Sequence, residues 1–286
     1  MTLFQIIDFY FTVNCTEMTR DFDYPCCVTR SPFDVRDWKY HEKTMPLLAK
    51  AREFPLQFSW IPYLPSVRDQ GNEGTCAAFS GATLKEAHEH KENTKLDKNV
   101  CMSPRFIYTY RENAPNEGMY LRDLMKILQK QGTCFEATLP YSAGSPLKPE
   151  NVPTNAVDEG ANFKVAHYAQ VYSILDLKQA LIEQGPCIAA FPVYNNGSQF
   201  WKPQSPTDSL KGGHAVTIVG YDDEKQGFHI RNSWGDDWAE DGYTWYPYID
   251  FGMHWEIWSA IDDASLPIQP PEVEPTFKCG EGCVIC

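Results

Sequence analysis

Positive charge is scarce in this chain. Its 286 residues carry 25 Lys and Arg against 38 Asp and Glu, a formal net charge of -13. That balance argues against nucleic-acid binding through a basic surface. Long apolar runs are lacking too. The most apolar stretch, Met1-Thr2-Leu3-Phe4-Gln5-Ile6-Ile7-Asp8-Phe9-Tyr10-Phe11, is broken by Asp8 and too short to span a membrane. No basic residue precedes it, which argues against a secretory signal. A strand or helix docked on the main domain is expected there instead.

What the chain does have is a cysteine prepared for attack. Gly71 and Gly74 bracket a tight turn in Arg68-Asp69-Gln70-Gly71-Asn72-Glu73-Gly74-Thr75-Cys76-Ala77-Ala78-Phe79-Ser80. An amphipathic helical pattern follows, Ala78, Phe79, Ala82 and Ala87 against Lys85, Glu86, Glu89 and Lys91. Cys76 is thus expected at a helix N-terminus, where the dipole and free N–H groups favour thiolate over thiol. Gln70 carries an amide able to donate to a developing oxyanion. On this stretch alone, a buried packing cysteine beside a polar turn is the competing reading. Further on, Gly212-Gly213-His214-Ala215-Val216-Thr217-Ile218-Val219-Gly220-Tyr221 reads as a buried strand entered by a histidine. Phe228-His229-Ile230-Arg231-Asn232-Ser233-Trp234-Gly235 reads as a second strand ending in asparagine and tryptophan. Cys76, His214 and Asn232 come in the order nucleophile, base, orienter.

Three stretches together, Gln-Gly…Gly-Thr-Cys-Ala-Ala-Phe-Ser, Gly-His-Ala-Val…Val-Gly-Tyr and Asn-Ser-Trp-Gly-Asp-Asp-Trp-Ala-Glu-Asp-Gly-Tyr, resemble the papain/cathepsin family of cysteine peptidases. The resemblance covers residues 53–262 and is nearest to propeptide-poor bacterial and large-DNA-virus members. It implies an α+β, two-lobed fold, a helical lobe and an antiparallel β-barrel-like lobe with the active cleft between them. It also implies peptide-bond hydrolysis through a Cys76 thioester. His214 would act as base and acid, Asn232 would orient it, and Gln70 with the Cys76 N–H would form the oxyanion hole. Trp234 would shield the Asn232–His214 bond. Asn116-Glu117-Gly118-Met119-Tyr120 is similar to the family's Asn-Gly-Gly-aromatic stretch, so Gly118 would bond the substrate backbone. Met119, Ala190 and Ala215 would line an apolar second specificity pocket. Glu117 stands where the family has glycine, Ala77 where secreted relatives have tryptophan, and Ala239 replaces a glycine.

No paired histidines suggest the occluding loop of a dipeptide-removing relative, so an endopeptidase is expected. No metal or cofactor is expected, and the partner is a protein or peptide substrate. Two other readings use the same fold. One is a structural or docking module, for example in a virus particle; the other is an acyl transferase with the same triad. Secreted relatives carry a disulfide cysteine where this chain has Glu73. Most of the ten cysteines are read as reduced, so a cytoplasmic or virion-associated location is expected.

Around residues 53–262, the peptidase domain, lie an N-terminal arm, 1–52, and a Pro-rich tail, 263–286. The arm is expected to pack on the surface, with an activation segment as the alternative. The tail ends Cys283-Val284-Ile285-Cys286, a weak prenylation pattern with Cys279 as a second candidate acylation site. Membrane contact is expected only if that motif is lipidated. Arm or tail could dock the chain into a larger assembly. Within the domain, Ser103-Pro104, Leu121–Leu128 with Gly132, and Ser173–Gly185 read as helices. Cys187–Val193, His214–Tyr221, Phe228–Asn232, Tyr243–Ile249 and Trp255–Ile261 read as strands.

Overall fold

The computed structural model describes residues 24–41, 54–93 and 95–261. The readings of the apolar N-terminal stretch, of Cys279 and of the Cys283–Cys286 motif lie outside these residues.

The second half of the chain builds all of the sheet but β1. Seven strands run β1 (Gln57–Ser59), β2 (His167–Gln170), β3 (Cys187–Val193), β4 (Gly212–Asp222), β5 (Gly227–Arg231), β6 (Tyr243–Pro247) and β7 (Glu256–Ile261). They pair antiparallel in the order β2-β7-β3-β4-β5-β6, with β1 on β4. β3 is buried throughout, and β4 through all but its last residue. Covering both faces removes the polar alternation of a half-exposed strand, which is why both read as continuous apolar runs. Tyr243–Ile249 is shorter than expected as a strand: a 3₁₀ turn, Tyr248–Asp250, ends it.

Helices dominate the part before β3. α1 is Cys76–Glu92, α2 Pro104–Thr109, α3 Leu121–Lys130, α4 Thr154–Gly160 and α5 Ile174–Glu183. The expected caps are present. Ser103 Oγ accepts from Phe106 N at 3.1 Å, and Ser173 Oγ from Asp176 N at 3.0 Å. Gly132 takes φ +75° after α3, the left-handed turn that glycine allows.

α1 corrects one expectation. The first part of its charged side, Lys85 and Glu86, does not face water, because α1 is the central helix, packed by α2, α3, β3 and β4; Glu89 is half-buried and Lys91 exposed. Lys85 and Glu86 are buried. Burial of those charges is tolerated because each is paired. Arg68 Nη2 lies 2.5 Å from Glu86 Oε1, Met102 N donates to the same oxygen at 3.0 Å, and Lys85 pairs with Glu89 at 2.9 Å.

The arm corrects another. Pro25, Cys26, Cys27 and Val28 are buried rather than lying on the outer surface and thread between the two lobes, whereas Thr29 and Arg30 are exposed. Val28 N donates to Gly213 O at 3.0 Å, and Thr29 bridges Tyr120 on the helical side. Glycines make this approach feasible. A Cβ on Gly118 would sit 1.7 Å from Cys27 O, and one on Gly212 would sit 2.1 Å from Cys26 O. Beyond the cleft, the arm is pinned by the Arg122–Asp37 ion pair and by Ser31, whose N and Oγ both donate to Glu256 Oε1 at 3.0 Å.

Candidate active site

Cys76 is the first residue of α1, as expected, and is fully buried. His214 sits near the start of β4, beside Gly213, and is also fully buried. Asn232 follows β5, its N–H donating to Gly242 O at 3.0 Å. His214 Nε2 and Asn232 Oδ1 are 2.7 Å apart, so Nε2 donates and Asn232 fixes the ring. Ser233 N also donates to that oxygen, at 2.8 Å, which sets the amide's orientation. Trp234 stacks on His214 at 4.4 Å and covers the pair.

Gln70 is buried beside them. Its N–H donates to Ser233 O at 2.9 Å, and its Oε1 accepts from Ser233 Oγ at 2.7 Å. One Nε2 hydrogen goes to Glu73 O at 3.0 Å. Nε2 carries a second hydrogen that the Glu73 bond does not use. A polar cavity of about 10 Å³ lies behind Asn232, lined among others by Arg68, Thr217 and Arg231.

Electrostatics describe a resting centre. Burial pushes the Cys76 thiol up to about 11, against the smaller opposing pull of backbone N–H groups of Ala215, Ala77 and Cys76 itself. Burial likewise takes His214 down to about 4, against the Asn232 bond, which raises it. His214 Nδ1 makes no hydrogen bond among the described residues. Burial thus pushes both groups toward their neutral forms, against the thiolate that the helix N-terminus favours. The helix terminus does supply stabilising N–H groups, as the sequence suggested, but desolvation outweighs them.

The arm is what covers this centre. Tyr24 stacks on the outer face of Trp234 at 4.8 Å, and its hydroxyl donates to Trp234 O at 3.1 Å. Cys27 Cβ lies 3.0 Å from where a Cβ on Gly74 would be, two residues before the nucleophile. Cys26 is buried close enough for its thiol to be raised by the charge of Cys76, after burial itself. Val28 shares one apolar cluster with Met119, Ala190, Ala215 and Cys76. Cys26, Cys76, Cys101, Cys134 and Cys187 are free, and Cys27 is disulfide-bonded.

Two site features escaped the sequence reading. Glu256 stands opposite Ala190 in the β3–β7 register, so its side chain shares that face. Nothing local marks it, because a lone glutamate in a strand reads as a solvated position. Glu73 pairs with Arg105, 32 residues on, a contact only the fold creates. Ala239, in place of the family's glycine, takes φ +50° and keeps the left-handed backbone without the residue suited to it.

With the geometry in hand, comparison with known proteins identifies the class. The family model described as papain family cysteine protease matches residues 54–250, and the chain belongs to that family. A cathepsin B-like protein of Giardia intestinalis is 32% identical over 194 residues, 63% of each chain. The chain thus spans less than two thirds of that relative's length. An uncharacterized peptidase C1-like protein of Acanthamoeba polyphaga mimivirus is 28% identical over 274 residues, 85% of this chain and 86% of the relative. Among solved structures, xylellain, a cysteine protease from Xylella fastidiosa, superposes with a TM-score of 0.68 and 28% identity, covering 85% of this chain and 98% of its own.

Proposed function

We propose that this chain is a cysteine endopeptidase held latent by its own N-terminal arm. The observation that carries the reading is the 2.7 Å His214–Asn232 bond under Trp234, with Cys76 at the N-terminus of α1 and Gln70 alongside. In the open enzyme, Cys76 Sγ attacks the scissile carbonyl carbon and the oxygen charge develops toward Gln70 Nε2 and the Cys76 N–H. His214 takes the thiol proton and delivers it to the leaving amine, giving the thioester. Water then attacks the thioester, with His214 as base, and the acid leaves.

Polarity makes the arm an inhibitor rather than a substrate. A substrate's acyl side belongs at Gly118 and its leaving amine at His214. The arm runs the other way, from Tyr24 on Trp234 to Thr29 at Tyr120. Its peptide bonds therefore cross the site in the unproductive sense. Treating the chain with iodoacetamide at pH 5–7 and mapping the label by mass spectrometry tests the site assignment. Labelling of Cys76 that appears when the arm is displaced and is lost in His214→Ala supports it. Equal labelling of Cys76 and Cys101 under all conditions would sink it. An amine acceptor added to a peptide substrate distinguishes transfer from hydrolysis by the ligated product.

The second specificity pocket carries more than the apolar lining. Glu256 accepts from Ser31 N and Oγ, and from Trp258 Nε1 at 2.8 Å. Once the arm leaves, two of those three donors go with it. A basic side chain can then replace them, so a substrate residue two before the scissile bond is apolar or basic. In Glu256→Gln, the ratio of kcat/KM for an arginine at that position over a phenylalanine is expected to fall about 10-fold, since a hydrogen bond to a charged group is lost. An unchanged ratio would remove Glu256 from the pocket's recognition surface.

A further inference from the structure

We propose that Glu73, Arg105 and Tyr141 form a positioning device for the oxyanion hole, a buried ion pair doing noncovalently what a cross-link could do. This rests on the peptidase reading of the Cys76 site and adds three residues to it. Glu73 and Arg105 are 5% and 3% exposed, so the pair is desolvated and directional. Arg105 grips the carboxylate with both ends of its fork, Nη1 to Oε1 at 2.9 Å and Nη2 to Oε2 at 2.5 Å. Gly144 N adds a third donor to Oε2 at 3.2 Å. Arg105 is itself fixed on α2, with Nη2 donating to Ser142 O at 2.7 Å and its guanidinium 4.9 Å from the Tyr141 ring centre.

What the pair holds is the turn between the oxyanion donor and the nucleophile. Glu73 O receives one hydrogen of Gln70 Nε2 at 3.0 Å, which aims the other. The Tyr141 hydroxyl donates to Gln70 O at 2.7 Å and lies 3.0 Å from Thr75 Oγ1. Both ends of the turn, Gln70 and Thr75, are thus tied to one hydroxyl. Tyr141 packs edge-on against Phe79 of α1, at 4.8 Å, so the turn and the helix move as one. None of these three side chains has a described bond to Cys76, His214 or Asn232. They act through Gln70, and are positioning residues.

The division of labour gives the test. Alkylation of Cys76 by iodoacetamide needs thiolate and imidazolium but no oxyanion hole. Amide hydrolysis needs both. The experiment uses the full chain with the arm displaced by Tyr24→Ala and Val28→Asp, with a fluorogenic phenylalanyl-arginyl amide as substrate. In that background, Arg105→Met and Tyr141→Phe are compared with the parent. The expected result is a kcat lowered about 10–100-fold in Arg105→Met, short of the full loss of an oxyanion donor. KM and the alkylation rate stay within about 3-fold, because substrate contacts and the thiolate are untouched. Tyr141→Phe shows the same split with a smaller fall. Arg105→Lys, which keeps the charge but not the fork, carries the test if the methionine variant does not fold. Two results overturn the inference: kcat unchanged, or kcat and alkylation falling together. A parent that is neither alkylated at Cys76 nor active overturns the peptidase reading itself, and this one with it, on a separate readout.

Discussion

Displacing the arm is expected to raise the alkylation rate of Cys76 at pH 6 by at least about 100-fold. With the arm in place burial pushes the thiol up to about 11, far above pH 6, so the thiolate is scarce. The arm's hold is local and separable. Tyr24→Ala removes the stack on Trp234 and the bond to its carbonyl. Val28→Asp forces a carboxylate into the cluster of Met119, Ala190 and Ala215. Together these cost the closed state a few kcal/mol, and each 1.4 kcal/mol shifts its population about tenfold.

The pH profile carries the sign. In the covered chain both partners titrate toward neutrality, Cys76 up and His214 down, so alkylation climbs about tenfold per pH unit through the neutral range. In the opened chain water and a free cleft restore the charged pair. The rate then becomes nearly flat from about pH 5 to about pH 8, because the imidazolium holds the thiolate across that span. Stopped-flow or quenched labelling with peptide mapping measures both curves. Parallel curves for covered and opened chains would mean that the arm does not control the nucleophile.

Legibility followed the range of the forces. Cys76, His214, Asn232 and Gln70 stood out as candidates because each sits at a junction that local chemistry marks. Gly71 and Gly74 precede a helix, Gly212 and Gly213 open a strand, and an asparagine and tryptophan close another. β3 and β4 were visible as apolar runs, and α2 and α5 through Ser103 and Ser173. Elements sustained by partners far along the chain left no local trace. β1 has three residues and exists by pairing with β4, and β2, His167–Gln170, by pairing with β7. α4, Thr154–Gly160, is a short helix among polar residues whose buried residues are Ala156 and Gly160. The arm is the largest case. Tyr24-Pro25-Cys26-Cys27-Val28-Thr29 has no period to read, since an extended segment held by isolated bridges takes its conformation from what it packs against. Lys85 and Glu86 misled for the opposite reason. Their charges suggested a solvated helix face, and the burial is tolerated only because Glu89 and Arg68 meet them.

Asn232→Ala is expected to lower kcat/KM in the opened chain by about 100-fold, within the range that correct general acid–base geometry contributes. Two effects act in the same direction. Oδ1 is the acceptor that holds His214 at Nε2, so its loss frees the ring to rotate away from Cys76. That bond also raises the imidazole against the downward pull of burial, so without it His214 titrates lower. A lower imidazole pKa leaves less imidazolium to balance the thiolate, and the flat region of the alkylation profile moves and narrows from its alkaline side. Trp234 cannot compensate, because stacking at 4.4 Å fixes the plane of the ring but not its rotation within that plane. Ser233 N loses its acceptor as well, and Ser233 is the residue that holds Gln70 through both backbone and side chain. The variant should therefore lose part of the oxyanion hole along with the orienter. Asn232→Gln separates the two contributions: a longer amide can still accept from His214 but no longer matches Ser233 N. A kcat/KM within about 3-fold of the parent in Asn232→Ala would show that the stacked tryptophan alone orients the base, and that the asparagine contributes packing rather than catalysis.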